Sequence, residues 1–140
     1  MTRVGVLALQ GDFLEHIQAL EILGLDALEV RLPSQLESLD GLIIPGGEST
    51  TIIKLADIYG LREAIGQFAT NGGPVWGTCA GMIILANSLT DPYPKPFGLI
   101  DITVSRNWFG RQVDSFEADL DISGVRGASF RGIFIRSPVV

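Results

Sequence analysis

The sequence predicts a single α/β domain with a mostly parallel central sheet and an added β-rich segment after about residue 98. Three observations carry this prediction. The chain has 140 residues, a length that fits one domain spanning 1–140. Its first part alternates short apolar runs with stretches of helical periodicity, as β-α units do. Beyond Gly98 the periodicity changes to two, which is typical of half-exposed strands.

The first two strands and the first helix follow from their residue patterns. Val4–Leu9 is a continuous apolar run, which suits a central parallel strand covered on both faces. Residues 28–32 alternate apolar and charged side chains, as a strand nearer the sheet edge does. Between these strands, Asp12 and Glu15 form a candidate capping pair for a helix that Gly24 ends.

The remaining elements continue this alternation and then depart from it. A strand is predicted at 42–44, helices at 50–59 and 61–68, and a further strand at 75–76. An apolar helix then runs from Met82 to about Leu89, and the proline-rich segment 91–96 is expected to be a surface loop. Three further strands are predicted at 100–105, 116–122 and 133–135.

The composition excludes several classes of function. Ten Lys and Arg residues against 16 Asp and Glu give a net charge of -6, which argues against nucleic acids and anionic membranes as partners. The single cysteine excludes an internal disulfide and, with the single histidine, a zinc or iron–sulfur cluster. No cofactor is therefore expected, and the cytoplasm is the simplest compartment. No apolar stretch reaches the roughly 18 residues that span a membrane.

Three unusual segments each follow a predicted parallel strand, and they are Gln10-Gly11, Gly46–Ser49 and Gly77–Gly81. The carboxyl ends of parallel strands lie at one edge of a sheet, where open α/β sheets bind their ligands. The three segments are therefore expected to converge on one ligand crevice.

The segment Gly77–Gly81 has the pattern of a nucleophile elbow centred on Cys79. Glycines on both sides permit a tight turn that exposes the sulfur at the N-terminus of the next helix. The helix dipole and the unpaired amides there are expected to lower the pKa of the thiol and to favour a nucleophilic thiolate. The alternative is a small buried cysteine without a reactive role.

The glycine pair Gly46-Gly47 lets bare backbone approach a ligand with its N–H groups directed at it. Together with the amide of Ala80, these groups are candidates for an oxyanion hole. An ordinary Gly-Gly turn and a phosphate cradle are the alternatives, although the sequence contains neither a P-loop nor a dinucleotide fingerprint.

Acyl transfer by a cysteine needs a base, and His16 is the only histidine in the chain. Nothing in the sequence directs this residue of the first helix at Cys79. A partly buried or interface histidine is therefore the preferred interpretation.

Five of the eight arginines lie in the β-rich part of the chain, at Arg106, Arg111, Arg126, Arg131 and Arg136. One or two of them are candidates to bind a carboxylate, because the guanidinium fork matches it with two hydrogen bonds. Exposed salt bridges are expected for Arg126 and Arg131.

Five motifs span nearly the whole chain. They are Gly5-Val-Leu-Ala-Leu-Gln-Gly11 with Glu15-His16, Pro45-Gly-Gly-Glu-Ser-Thr-Thr51, Gly77-Thr-Cys-Ala-Gly81, Arg106-Asn107 with Phe109-Gly-Arg-Gln-Val-Asp-Ser-Phe-Glu117, and Phe134-Ile-Arg-Ser-Pro138. This set resembles the glutaminase subunits of pyridoxal 5′-phosphate synthases, which are class I (triad) glutamine amidotransferases. The resemblance implies a flavodoxin-like three-layer sandwich.

The resemblance also implies an activity and its residues. L-glutamine would be hydrolysed to L-glutamate and ammonia, with Cys79 attacking the side-chain amide, and the ammonia would pass to a separate synthase subunit that builds the vitamin B6 ring. The residues implied to contact glutamine are Gly47, Glu48, Ser49, Arg106, Ile135 and Arg136. Gln10 and Gly46-Gly47 would lie near the oxyanion and the surface that meets the synthase subunit.

The sequence departs from the family pattern at its end. Members of the family continue past the Phe-Ile-Arg-Ser-Pro motif to a His-Pro-Glu segment that completes the triad, whereas this sequence ends at Val140. A C-terminally truncated domain is therefore expected, without the last strand and helix, with an uncovered apolar surface and with impaired activity. A non-catalytic docking or regulatory subunit and a stand-alone cysteine hydrolase are the alternatives.

Overall fold

Four parallel strands form the main sheet of the protein, in the order β2-β1-β3-β4. The computed structural model describes residues 1–106, 115–127 and 129–140. The strands are β1 (Arg3–Leu7), β2 (Asp26–Val30), β3 (Gly41–Ile44) and β4 (Val75–Gly77). The predicted parallel order and the edge position of β2 are confirmed.

Helices cover both faces of this sheet, so the three-layer architecture is confirmed. Helix α1 (Phe13–Ile22) packs its Leu20 against Val6 and Ile43 on one face. The opposite face carries α2 (Ser49–Ile58), α3 (Leu61–Thr70) and α4 (Ala80–Leu85), together with a 3₁₀ helix at Pro33–Ser38. Neighbouring residues of a strand point to opposite faces, which explains why these apolar runs feed two core layers.

The predicted helix from Met82 to about Leu89 is wrong in its second half. Helix α4 ends at Leu85, and the chain continues as β5 (Ala86–Leu89), which pairs in parallel with β6 (Ile100–Val104). The hydroxyl groups of Ser88 and Thr103 lie 2.7 Å apart across this pair. A short apolar run does not distinguish a buried helix from a strand. Pairing with β6 makes this segment a strand. The β-rich part thus begins at Ala86 rather than after residue 98.

An antiparallel hairpin of β7 (Phe116–Leu120) and β8 (Phe130–Phe134) forms the last part of the fold. The predicted exposed salt bridges are confirmed for Arg131, which pairs with Glu117 and Asp119. Arg126 is exposed, and no described residue pairs with it. Arg111 and most of the 109–117 motif lie outside the described residues. Across the described ranges, the helices are all too short or too polar to cross a membrane.

The two glycines of the predicted elbow bring α4 close to the sheet. A Cβ atom on Gly81 would lie 2.0 Å from the carbonyl oxygen of Ile44 in β3, and one on Gly77 would lie 2.4 Å from the backbone of Gly81. Neither glycine has a positive φ. Glycine is therefore required at both positions because the backbones of α4, β3 and β4 lie too close together for a side chain. The sequence pattern suggested instead that the backbone conformation of the turn requires glycine.

Gly81→Ala is expected to lower the free energy of unfolding by about 1 to 3 kcal/mol, because the new methyl group meets a backbone oxygen that cannot rotate away. Gly66→Ala in α3 is the matched control. A Cβ atom at Gly66 has nothing within 4 Å, so alanine should raise the stability by up to about 1 kcal/mol. Equilibrium urea unfolding measures both variants, and equal effects would contradict the close approach.

Candidate active site

The three predicted turns meet at the carboxyl ends of β1, β3 and β4 and surround one cavity of about 860 Å³. Every site residue predicted from the sequence lines this cavity except Gln10. The lining includes Gly46, Gly47, Glu48, Ser49, Cys79, Ala80, Arg106, Ile135 and Arg136. The expected convergence is confirmed for Gly46–Ser49 and for the elbow, whereas Gln10-Gly11 lies against the glycine loop and only the following residue, Asp12, lines the cavity.

Cys79 occupies the junction between β4 and α4 in a strained conformation. Its φ of 49° and ψ of -106° are unusual for a residue with a side chain. The cysteine is exposed, so the alternative of a buried, inert thiol is wrong. The strained turn presents the sulfur to the cavity, as the elbow pattern predicted.

The predicted lowering of the Cys79 pKa is wrong, because the pKa of the thiol is raised. Neighbouring atoms that partly bury the thiol have the largest effect, and the negative charge of Asp12 adds to it. A hydrogen bond from the Ala80 amide acts in the opposite direction but does not compensate. Helix α4 has only six residues, so its dipole is small.

The Gly46-Gly47 loop lies directly beside Cys79. A Cβ atom on Gly46 would lie 3.6 Å from the Cβ atom of Cys79, and one on Gly47 would lie 2.7 Å from Oε1 of Gln10. Gly47 also has a φ of +154°. Bare backbone is therefore required at Gly47, whereas a Cβ atom on Gly46 would make only ordinary van der Waals contacts.

Gln10 is tied to the same loop. Its Oε1 accepts a hydrogen bond of 2.8 Å from the backbone N–H of Glu48. The side chain is half-buried between the end of β1 and the start of α2. Gln10 thus supports the wall of the cavity without lining it.

The carboxylate of Glu48 caps α2. It accepts hydrogen bonds from the amides of Thr50 (3.1 Å) and Thr51 (2.7 Å) and from the Thr51 hydroxyl (2.7 Å). Burial acts to raise the pKa of Glu48, but these hydrogen bonds outweigh it and leave the pKa lowered. A cap of this kind was not foreseen from the sequence, although Glu48 stands directly before the predicted helix.

Arg106 follows β6 and reaches the start of α2. Its Nη1 donates to Oγ1 of Thr50 (3.2 Å) and Oγ of Ser49 (3.5 Å), and its Nε lies 3.3 Å from Oδ2 of Asp91. The side chain is only 21% exposed. The guanidinium is thus held at the cavity by two hydroxyls and one carboxylate, and Asp91 is a site neighbour that no sequence pattern revealed.

Ile135 and Arg136 follow β8 and contribute to the lining of the same cavity. Arg136 has a φ of 46°, an unusual value for a residue with a side chain. Both residues are exposed, so their side chains are accessible from the cavity.

His16 is half-buried, and its hydrogen bond goes to the neighbour of Cys79. Its Nε2 lies 3.3 Å from Oγ1 of Thr78, and its ring meets Trp76 edge-on at 6.0 Å between centroids. Burial lowers the pKa of His16, although Asp12 and Glu15 act to raise it. The ring therefore supports the elbow through Thr78. Within the described ranges, no group of three or more acidic, histidine or cysteine side chains could hold a metal ion.

Comparison with known proteins agrees with this geometry. A crystal structure of a glutamine amidotransferase matches with a TM-score of 0.90 and 51% identity, over 97% of this chain and 72% of that one. Fold and cysteine site together define an α/β protein of the glutamine amidotransferase class. The model of the SNO glutamine amidotransferase family matches residues 6–140. The chain belongs to this family.

Two curated relatives illustrate the similarity. The pyridoxal 5'-phosphate synthase subunit PdxT of Dehalococcoides mccartyi is 57% identical over 140 residues, which cover 99% of this chain and 72% of that protein. The PdxT subunit of Geobacillus kaustophilus is 56% identical over 137 residues, covering 97% of this chain and 69% of that protein. The resemblance predicted from the motifs is confirmed.

Glu48→Ala is expected to lower the free energy of unfolding by about 1 kcal/mol at neutral pH, because α2 loses its cap. The folded-state pKa of Glu48 is lowered, so the contribution is complete at neutral pH and is lost as the pH falls through that pKa. The stability curves of the wild type and the variant should therefore converge in acid.

Glu21→Gln is the control for this prediction, because it removes an exposed carboxylate of α1 and should change stability by less than about 0.5 kcal/mol. Urea unfolding at several pH values gives the comparison. A loss in Glu48→Ala that stays constant into acid would contradict a cap that depends on the charge.

Proposed function

We propose that this chain is the glutaminase subunit of a pyridoxal 5'-phosphate synthase, and that Cys79 is its nucleophile. It hydrolyses L-glutamine to L-glutamate and ammonia, and the ammonia passes to a synthase subunit for vitamin B6 biosynthesis. The observation that carries the proposal is the exposed Cys79 on a strained elbow, in one cavity with the glycine loop and Arg106. Membership of the family and the names of the curated relatives support it.

The chemistry assigned to the elbow is acyl transfer through sulfur. The thiolate of Cys79 adds to the amide carbon of glutamine, ammonia leaves with a proton from the site, and a thioester remains. Water then cleaves the thioester, which gives glutamate and restores the thiol. The attack requires the thiolate form of Cys79, and partial burial raises the pKa of this thiol.

The developing oxyanion is assigned to backbone amides. The amide of Ala80 acts to lower the pKa of the Cys79 thiol, and the Gly46-Gly47 loop lies beside the same side chain. Amide donors preorganised where negative charge develops contribute roughly 10² to 10³ in rate each.

The amino-acid end of glutamine is assigned to the far side of the cavity. Arg106 binds its α-carboxylate, and Ser49, with the backbone of Gly47 and Glu48, completes that contact. Ile135 and Arg136 border the substrate from the β8 side. The carboxylate of Glu48 serves this site through its cap on α2.

Proton transfer is not assigned to His16. Its Nε2 is engaged with Thr78, and no other histidine exists in the 140 residues. His16 is therefore assigned to the support of the elbow through Thr78.

The proposal also includes the complex in which the subunit acts. Residues 1–140 are assigned to one glutamine amidotransferase domain that acts in a heteromeric complex in the cytoplasm. Gln10 is assigned to the side that meets the synthase subunit, because it braces the Glu48 amide next to the oxyanion loop. A stand-alone hydrolase and a non-catalytic docking subunit are less favoured, since the curated relatives are named as synthase subunits.

Cys79→Ala is expected to reduce ammonia release from glutamine by about 10³-fold or more, because a nucleophile and its partners act as a unit. The assay uses a form of the subunit that extends through the family's His-Pro-Glu segment, assembled with its synthase partner. In parallel, a glutamine-like diazoketone should alkylate the thiol of the wild type with loss of dinitrogen and so add the mass of the reagent less that of N₂, and glutamine should protect against it.

The single cysteine makes the position of the label unambiguous. Ammonia release that survives in Cys79→Ala would contradict the nucleophile. Labelling that glutamine does not prevent would favour a hydrolase with another substrate.

Arg106→Ala is expected to raise KM for glutamine by roughly 10- to 100-fold with a smaller change in kcat, because a charge-assisted pair with the α-carboxylate is lost. Arg131→Ala is the matched control, since Arg131 is an exposed arginine in ion pairs on β8 that does not line the cavity. Steady-state kinetics of both variants gives the comparison, and an unchanged KM in Arg106→Ala would refute the assignment.

A further inference from the structure

The carboxylate of Asp12 does not do what an N-cap carboxylate ordinarily does. Asp12 precedes α1, where Asp side chains typically accept hydrogen bonds from the free helix amides. Its side chain makes no capping bond, so the predicted capping pair with Glu15 is wrong. Among the described residues, none donates a hydrogen bond to this carboxylate. The side chain instead lines the cavity that contains Cys79.

Two observations place this carboxylate and the side chain of Cys79 at the same glycine loop. The backbone N–H of Asp12 donates to the carbonyl of Gly46 at 3.0 Å, which holds the residue on the glycine loop. A Cβ atom on Gly46 would lie 3.5 Å from Oδ2 of Asp12 and 3.6 Å from Cβ of Cys79. The carboxylate and the cysteine side chain therefore flank the same point above the loop.

The other charged or titratable side chains at the cavity or the elbow are Glu48, Arg106, Arg136 and His16. Glu48 is committed to the amides of α2, and Arg106 is paired with Asp91. His16 faces Thr78. Within the described part of the chain, Asp12 is thus the cavity carboxylate without a hydrogen-bond partner, and its charge acts on Cys79.

We propose that Asp12 is a specificity-determining residue of the Cys79 site: its carboxylate favours a neutral amide next to the sulfur and disfavours an anionic carboxylate there. The inference rests on the proposed glutaminase function, in which glutamine places a carboxamide at Cys79 and glutamate leaves a carboxylate. An amide NH₂ donates a hydrogen bond to Asp12, whereas the product carboxylate is repelled. Asp12 therefore promotes substrate binding and product release.

Two alkylating reagents measure this discrimination directly. Iodoacetamide brings an amide to the sulfur and iodoacetate brings a carboxylate, and with each the thiolate displaces iodide. Asp12→Asn should raise the rate of iodoacetate alkylation relative to that of iodoacetamide by roughly three- to tenfold, as expected when one nearby charge in a partly hydrated cavity is removed. Intact-mass measurements follow the reaction, because Cys79 is the only cysteine.

A second readout is the pH dependence of iodoacetamide alkylation. Asp12 is one of the groups that raise the pKa of Cys79. Removing its charge should therefore shift the midpoint of the alkylation profile to lower pH. Higher salt should narrow the difference between the two reagents in the wild type, because it screens the charge.

Two further variants separate charge from structure. Asp12→Glu keeps the carboxylate and should keep the preference for iodoacetamide. Glu15→Gln removes an exposed carboxylate from the first turn of α1 and should leave the reagent ratio at the wild-type value. Circular dichroism confirms that each variant is folded before its rates are compared.

An unchanged reagent ratio and an unchanged pH midpoint in folded Asp12→Asn would overturn the inference. The experiment requires no glutamine turnover, so its result is independent of the ammonia assay. If Cys79→Ala retained ammonia release, the proposed function would fail, while the charge effect of Asp12 on the sulfur would still be measured.

Discussion

The close packing of α4 against β3 is the constraint on which the site depends. Gly81 has no side chain where a Cβ atom would meet the carbonyl oxygen of Ile44 at 2.0 Å. The chain must therefore leave β4 and start α4 within two residues, and Cys79 takes the strained φ of 49° at that corner. A side chain at position 81 would push the helix away from the sheet and carry the sulfur with it. Backbone packing thus sets the position of the nucleophile.

The electrostatics of the site disfavour the thiolate form of Cys79. Partial burial and the charge of Asp12 raise the pKa of Cys79, and one amide bond from Ala80 does not reverse this. A six-residue helix offers little dipole to compensate. These effects disfavour the thiolate, which is the form of cysteine that is alkylated or oxidised most readily.

Local patterns predicted the fold and the place of the site, whereas tertiary contacts decided what those patterns could not. The continuous apolar run of β1 and the elbow are both read from a few neighbouring residues. The strand at Ala86–Leu89 depends on a partner at Ile100–Val104 that the run itself does not reveal. The pKa of Cys79 likewise depends on Asp12, 67 positions earlier in the chain, and on burial that no spacing encodes.

Hydrogen bonds connect the two halves of the proposed substrate site. Oε1 of Gln10 holds the amide of Glu48 beside the glycine loop, and the carboxylate of Glu48 holds the first amides of α2. The hydroxyl group of Thr50, at the start of that helix, accepts a hydrogen bond from Nη1 of Arg106. The loop next to the sulfur and the arginine assigned to the α-carboxylate are thus connected by consecutive hydrogen bonds. A change at Gln10 should therefore affect both the glycine loop and Arg106, although the side chain of Gln10 does not line the cavity.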